Sequence, residues 1–223
     1  GKGSKSLHIF GPVIDGVTLP EFPLDYLTSG KGRRIPVLMG TNKEESKLFI
    51  KNNAGLAQPS EEAIRNLFGQ NFDFIWKDYL SLVPQLGEAE AWQQTLTNYL
   101  YYVGALQLAE VLSEQNYPVY MFRFDWQGPL GACHSQEKSF VWKISSGKEG
   151  TTTNIPDEAL SLADQMHYSW IAFVRTGNPN QQLIENWSAY QAPKYDTMVL
   201  DLPSTLQSIQ PNAERMVFPK QAL

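Results

Sequence analysis

The chain has 223 residues, only 18% of them charged, and 18 Lys and Arg against 23 Asp and Glu leave a net charge of −5. With no basic run beyond Lys31-Gly32-Arg33-Arg34, it lacks the concentrated cationic surface that nucleic-acid binding needs. The single Cys133 excludes an intrachain disulfide and the thiol-pair zinc motifs, and no apolar stretch reaches the ~18 residues that span a bilayer, so neither nucleic acid nor membrane is an expected partner.

Along the chain, Gly1-Lys2-Gly3-Ser4-Lys5-Ser6 has neither an initiator Met nor an apolar signal core behind it and reads as an arbitrary start. Gly11 to Gly16 and Leu19 to Leu24 are turn-rich and irregular. Ile35-Pro36-Val37-Leu38-Met39-Gly40 is a short, continuously apolar run ending in Gly, the pattern of a strand buried on both faces, with Pro36 near its start. A polar loop, Thr41 to Ser46, leads to Leu48-Phe49-Ile50. Residues 61–67 and 87–115 read as helical. In the second, Leu96, Leu100 and Val103 make a stripe while Tyr99, Tyr101 and Tyr102 wrap the other sides, which predicts cover on more than one face.

Tyr117 to Phe124 is the second strand candidate, aromatic and partly alternating, and Gly128-Pro129-Leu130-Gly131 ends it in a loop that carries His134. The clearest helix runs from about Pro156 to Thr176. Ala159, Ala163, Met166, Trp170, Phe173 and Val174 share one face, Asp157 and Glu158 suit its first turn, and Gly177 with Pro179 stops it. Thr197 to Leu202 is a third strand, and a polar tail follows. Helical stretches separate strands that would then lie parallel in one sheet, so the fold class is α/β.

His8, His134 and His167 show no HExxH or paired-ligand spacing, and no GxGxxG or GxxxxGK[ST] string occurs. Neither a metal nor any other cofactor is therefore implied. Glu45 and His134 differ from the remaining polar residues in position. Each follows a strand candidate, and sites in open α/β sheets form at the carboxyl ends of strands. A carboxylate followed later in the chain by an imidazole suits the second and third members of a hydrolase triad. On the residues alone, Glu45 as a solvated charge and His134 as an ordinary loop histidine remain open. Cys133, beside His134, reads as a small filler. His167 and Trp170 read as structural, while Trp126, Phe140 and Trp142 are candidates to line a pocket near His134.

Four blocks carry a resemblance that bears on this choice. They are Phe10-Gly11-Pro12-Val13-Ile14-Asp15-Gly16 with Leu19-Pro20; Ile35 to Ser46, reading IPVLMGTNKEES; Gly131 to Trp142, reading GACHSQEKSFVW; and Trp170 to Pro179, reading WIAFVRTGNP, with Trp187-Ser188-Ala189-Tyr190. In this order and spacing they resemble the C-terminal part of the type-B carboxylesterase (carboxylesterase/cholinesterase) family, in the style of para-nitrobenzyl esterases. The resemblance implies that residues 1–223 are the C-terminal portion of one α/β-hydrolase domain, parallel strands of the central sheet with flanking helices.

It also implies that Glu45, not Glu44, matches the catalytic acid and His134 the catalytic base of a serine esterase acting on small esters. Departures surround the pair: Ser46 stands for the usual Gly, Ser135 for a small residue, Lys138-Ser139 for an apolar-Pro pair and Ser188 for Pro. No G-x-S-x-G nucleophile elbow or HGG-type oxyanion loop occurs in the 223 residues. The chain is therefore expected to lack the nucleophile, to be inactive alone, and either to self-associate or to need a missing N-terminal half. The alternative is a non-catalytic, cholinesterase-like protein-interaction domain, against which retention of both Glu45 and His134 argues.

Overall fold

The computed structural model describes residues 12–143, 155–184 and 186–216. His8, the Gly1–Ser6 stretch, Phe10, Gly11 and the last seven residues of the tail lie outside them. In chain order the described residues form α1 (Pro23–Thr28), β1 (Val37–Asn42), α2 (Lys47–Asn52), α3 (Glu61–Phe68), α4 (Phe72–Leu86), α5 (Glu88–Thr97), α6 (Val103–Glu114), β2 (Val119–Phe124), α7 (Glu137–Trp142), α8 (Leu160–Thr176), β3 (Asp196–Leu200), β4 (Thr205–Ser208) and α9 (Ala213–Met216). Among them, no helix is long and apolar enough to cross a membrane.

The strands make one sheet in the order β1-β2-β3-β4. The first three are parallel, as the alternation of strands with helical stretches predicts, and β4 returns antiparallel beside β3. The short, polar Thr205-Leu206-Gln207-Ser208 escapes the sequence reading because it has no apolar alternation and lies half out in solvent.

Alternation along β2 sorts the core into two faces. Tyr120, Phe122 and Phe124 pack with Phe140, Leu162, Ala163, Met166 and Trp187, so α8 covers that face. Val119 and Met121 pack with Leu106, Ala109 and Leu112 of α6 on the other. Trp187, fully buried, donates its indole N–H to Met121 O at 3.1 Å and so leaves no polar atom stranded. A third apolar cluster, away from the sheet, gathers Ile64, Phe68, Phe72, Ile75, Tyr79, Trp92 and Leu96 from α3, α4 and α5, with Tyr99 just beyond α5.

The expected helix over 87–115 is present as α5 and α6, joined through a π-helical turn, Asn98–Tyr102. Its cover on several faces is also present: Tyr99 lies in the helical cluster and Tyr102 against the sheet-side one. The sequence reading leaves residues 72–86 unassigned, and the structure makes them α4. Phe72, Phe74 and Trp76 recur every second residue, which mimics a strand; Asn71 gives no side-chain cap, and Pro84 sits inside the last turn. Tertiary packing supplies what the local signals lack.

For function the decisive feature is register. Asn42 of β1 pairs with Phe124 of β2, so both strands end level and release their loops at one edge of the sheet. That pairing brings the backbones close at Gly40, where a Cβ would fall 2.2 Å from Phe122 O and 2.6 Å from its ring. Because the obstacle includes backbone, neither partner can swing away. Gly40→Ala is expected to lower stability by about 2 kcal/mol, within the range for overpacked sites, read as a reduced urea midpoint at unchanged slope. An unaltered midpoint would contradict this close approach.

Candidate active site

The acid loop begins where β1 stops. Lys43 N–H still donates to Phe124 O at 2.9 Å, and the chain then turns into α2. Glu44 and Glu45, both buried, diverge there. Glu44 Oε1 takes the Lys47 ammonium at 2.6 Å and Oε2 accepts from Ala132 N–H at 2.9 Å, while Glu44 N–H donates to Ala132 O at 3.0 Å. Burial pushes the Glu44 carboxyl up, but these bonds together outweigh it and hold the group below the usual carboxylate range.

Glu45 Oε1 accepts from Asn42 N–H at 2.8 Å, and Oε2 lies 2.7 Å from His134 Nδ1. Ser46, where the family resemblance leads one to expect Gly, is fully buried. Its N–H reaches Thr97 Oγ1 at 3.1 Å and its hydroxyl donates to Gln93 O at 2.7 Å, fastening the acid loop to α5.

The loop that carries His134 is equally constrained. Gly131 N–H closes a turn on Gly128 O at 2.9 Å. Gly131 has φ +71°, which favours glycine, and a Cβ there would fall 2.1 Å from Glu44 Oε2 and displace that carboxylate. Asn42 Nδ2 donates to Cys133 O at 2.7 Å and to Glu137 Oε2 at 2.6 Å. Ser135 follows His134 in the left-handed region, at φ +68°. The imidazole is 36% exposed. With Nδ1 committed to Glu45, Nε2 is the nitrogen left to exchange a proton with a reactant.

Two aromatic rings that the sequence reading overlooks flank this imidazole. Phe49 of α2 lies 5.1 Å from it and Tyr101 of the π-helical turn 5.2 Å, centroid to centroid, and the two stack on each other at 5.9 Å. Burial first, and then the Glu45 charge, pushes the Tyr101 hydroxyl up to about 12, so it stays protonated at neutral pH. A signal for Phe49 existed, since it follows Glu45 by one helical turn. Tyr101 reaches the site through tertiary packing and had none.

The three aromatics expected at the pocket behave otherwise. Phe140 is core, packed on Phe124 and Trp126 at 5.2 and 5.1 Å, and Trp142 is 71% exposed beyond it. His167 Nδ1 sits 2.8 Å from Val141 O, and Trp170 packs on Phe122 at 5.2 Å; both are structural, as the sequence suggests.

Comparison with known proteins bears on this geometry. A carboxylesterase family model matches residues 1–218, and the chain belongs to that family. It is 30% identical over 220 residues to the para-nitrobenzyl esterase of Bacillus subtilis (strain 168), covering 95% of this chain and 44% of that protein. Carboxylesterase 4A of Bos taurus is 26% identical, over 97% of this chain and 42% of the relative. Among solved structures, a PNB esterase superposes with a TM-score of 0.74 at 30% identity, over 94% of this chain and 44% of that one. The Geobacillus stearothermophilus carboxylesterase EST55 gives 0.75 at 27%, over 92% and 43%. The architecture is thus that of the α/β-hydrolase carboxylesterases, and the chain spans less than half the length of these relatives.

Cys133 adjoins His134 in sequence but not in chemistry. Its carbonyl is held by Asn42, and its Sγ lies 3.8 Å from Gln136 Oε1. Burial pushes the thiol up, and the charges of Glu45, Glu137 and Glu44 push it the same way. A raised pKa means less thiolate at any given pH below it. As the chain's one thiol, Cys133 should alkylate with iodoacetamide more slowly at pH 8 than glutathione does, its rate climbing only at higher pH. A rate at pH 8 equal to or above glutathione's would show an activated thiol instead.

Proposed function

We propose that the chain supplies the base and the acid of a serine carboxylesterase, His134 and Glu45, to a nucleophile lying in sequence beyond these 223 residues. The observation that carries the reading is the 2.7 Å contact between His134 Nδ1 and Glu45 Oε2, at a buried carboxylate whose other oxygen is already satisfied by Asn42 N–H. A carboxylate held on both oxygens cannot rotate away, and it fixes the imidazole tautomer that bears its proton on Nδ1. Nε2 is then free to take the proton of a serine hydroxyl as it attacks an ester carbonyl. Glu45 stabilises the imidazolium so formed, and the same proton passes to the departing alcohol. Water repeats the cycle on the acyl-enzyme and releases the carboxylate. Phe49 and Tyr101, flanking the ring, keep this side of the site apolar and hold His134 in place.

Membership of the carboxylesterase family supports ester hydrolysis as the reaction, and the relatives' names support small carboxylic esters as substrates. No cofactor enters this scheme. The nucleophile and the oxyanion donors must come from elsewhere, because the 223 residues hold no G-x-S-x-G and no HGG string. The non-catalytic alternative has no need of a buried carboxylate aimed at a half-exposed imidazole, and the pairing favours the enzyme.

The sheet itself supports a missing companion. Among the described residues β1 is bonded to β2 on one side only, and its other edge has no strand partner there. Beside that edge, Leu38, Gly40, Phe122, Val141, Trp142 and Trp170, with the charged Glu137 and Lys138, line an open, mostly apolar groove of about 380 Å³. A parallel edge strand next to an apolar groove is the surface that further strands and their helices would cover. The rest of the enzyme is the proposed partner of this chain, with self-association as its substitute.

Turnover of p-nitrophenyl acetate by the chain alone is expected to match a buffer-plus-imidazole blank. Saturable turnover abolished by His134→Ala would overturn the proposed division of labour. Joined to its nucleophile-bearing sequence the protein should hydrolyse the ester, and Glu45→Gln should then cost about 10⁴-fold in kcat, as expected when the base loses the tautomer it needs. In sedimentation equilibrium the isolated chain should self-associate; a clean monomer at high concentration would count against the uncovered edge.

A further inference from the structure

We infer that Asn42 is a positioning residue of the Glu45–His134 pair, its carboxamide locking the loop that carries the base to the strand that carries the acid. The inference rests on the proposed roles of those two residues and adds a third side chain to them. Asn42 is the last residue of β1 and only 2% exposed. Three contacts radiate from it. Its backbone N–H holds Glu45 Oε1 at 2.8 Å, and its Nδ2 reaches Cys133 O at 2.7 Å and Glu137 Oε2 at 2.6 Å. A carbonyl and a carboxylate only accept, so both must face the amide's NH₂, and its two hydrogens are fully used.

The arrangement is asymmetric in a useful way. Any residue but proline at position 42 would offer the backbone N–H to Glu45. The bonds on either side of His134, at 133 and at 137, need a planar side chain with two donors and no charge. Lysine would bring a charge and a longer stem, and a threonine hydroxyl has one hydrogen for two acceptors. The loop also needs holding from outside. Between the two anchored positions Ser135 occupies the left-handed region at φ +68°, a conformation that a residue with a Cβ does not adopt by preference.

Glu44 grips the same loop one residue earlier, at Ala132 N–H. His134 is therefore bracketed by anchors at 132, 133 and 137, all from the acid loop or the strand end beside it. The imidazole and its carboxylate then move as one body. Of these two anchoring residues, Asn42 is the one that bonds Glu45 itself as well as the chain on both sides of His134.

The test needs no turnover. In the chain labelled with ¹⁵N-histidine, the proton between His134 Nδ1 and Glu45 should give a low-field resonance in slow exchange with water, identified by its loss in Glu45→Gln. Asn42→Asp keeps the side-chain shape and removes both donors. At pH 7, with the circular-dichroism spectrum unchanged, it should speed exchange of that proton at least roughly tenfold, the effect of losing bonds of this strength. The double variant Asn42→Asp/Glu137→Gln returns a donor from the opposite side and should slow the exchange again.

Slow exchange retained in Asn42→Asp would overturn the inference. So would a double variant that exchanges as fast as Asn42→Asp while remaining folded. A merely structural role for Asn42 predicts a lowered melting temperature with no rescue of this one proton. The catalytic reading is decided separately, by turnover of Glu45→Gln and His134→Ala in the joined enzyme, so failure of either proposal leaves the other measurable.

Discussion

The in-register parallel pairing of β1 with β2 is the constraint from which the site descends. Asn42 and Phe124 end their strands level, so the acid loop and the loop leading to His134 depart from the same edge of the sheet. A shift of one residue would turn every side chain of β1 to the opposite face, taking Leu38 out of the α8-side core and Met39 out of the α6-side core. Burial on both faces thus specifies the register, and the register sets two loops, 89 residues apart in sequence, within one hydrogen bond of each other. The Glu45–His134 distance is held here by hydrophobic packing of the strands behind the two loops.

Two adjacent carboxylates at that edge show how little of a residue's role lies in its identity. Glu44 and Glu45 are both buried, and both are desolvated acids that need partners to remain charged. Glu44 finds a cation and a backbone donor and becomes structural, gripping the His134 loop. Glu45 finds one backbone donor and an imidazole, leaving its second oxygen on a group that can change charge. Because successive residues at the strand end diverge, the same functional group serves as clamp in one position and as charge partner in the next.

Much of this was legible in the sequence where burial writes a period. The apolar run before Gly40, the alternation of Tyr120, Phe122 and Phe124, and the stripe from Ala159 to Phe173 each announced an element that the structure contains. Position after a strand singled out Glu45 and His134, and the family blocks separated Glu45 from Glu44. What escaped did so for physical reasons. α4 carries aromatics at a spacing that imitates a strand, and its identity follows from packing against α3 and α5. β4 is short and polar, held in place by β3 rather than by any preference of its own. Phe49 and Tyr101 converge on His134 from separate elements, while Phe140, nearer in sequence, is drawn into the core and Trp126 packs half-buried against it. Nearness along the chain is a poor guide where a loop turns its own neighbours inward.

With 12% aromatic and only 18% charged residues, the chain has rings enough for a large core and some to spare at the surface. Trp92, Trp187, Tyr99, Tyr190, Phe124 and Phe140 are fully interior. Trp142 is 71% exposed and Val174 82%, and Ile35, just before β1, is 54% exposed. These three lie on the elements that begin or flank the open edge of the sheet, α7, α8 and the approach to β1. Other large apolar side chains are as exposed elsewhere, Val17 at 86% and Leu80 at 52%, so what distinguishes this edge is the groove beside the outer strand rather than exposure alone. β1 is both the outer strand of the described sheet and the strand that releases the acid loop, so under the proposed function the surface meeting the rest of the enzyme and the residue serving its nucleophile would stand on one strand. Docking and catalytic alignment would then be set by a single piece of backbone, and an error in one would be felt in the other.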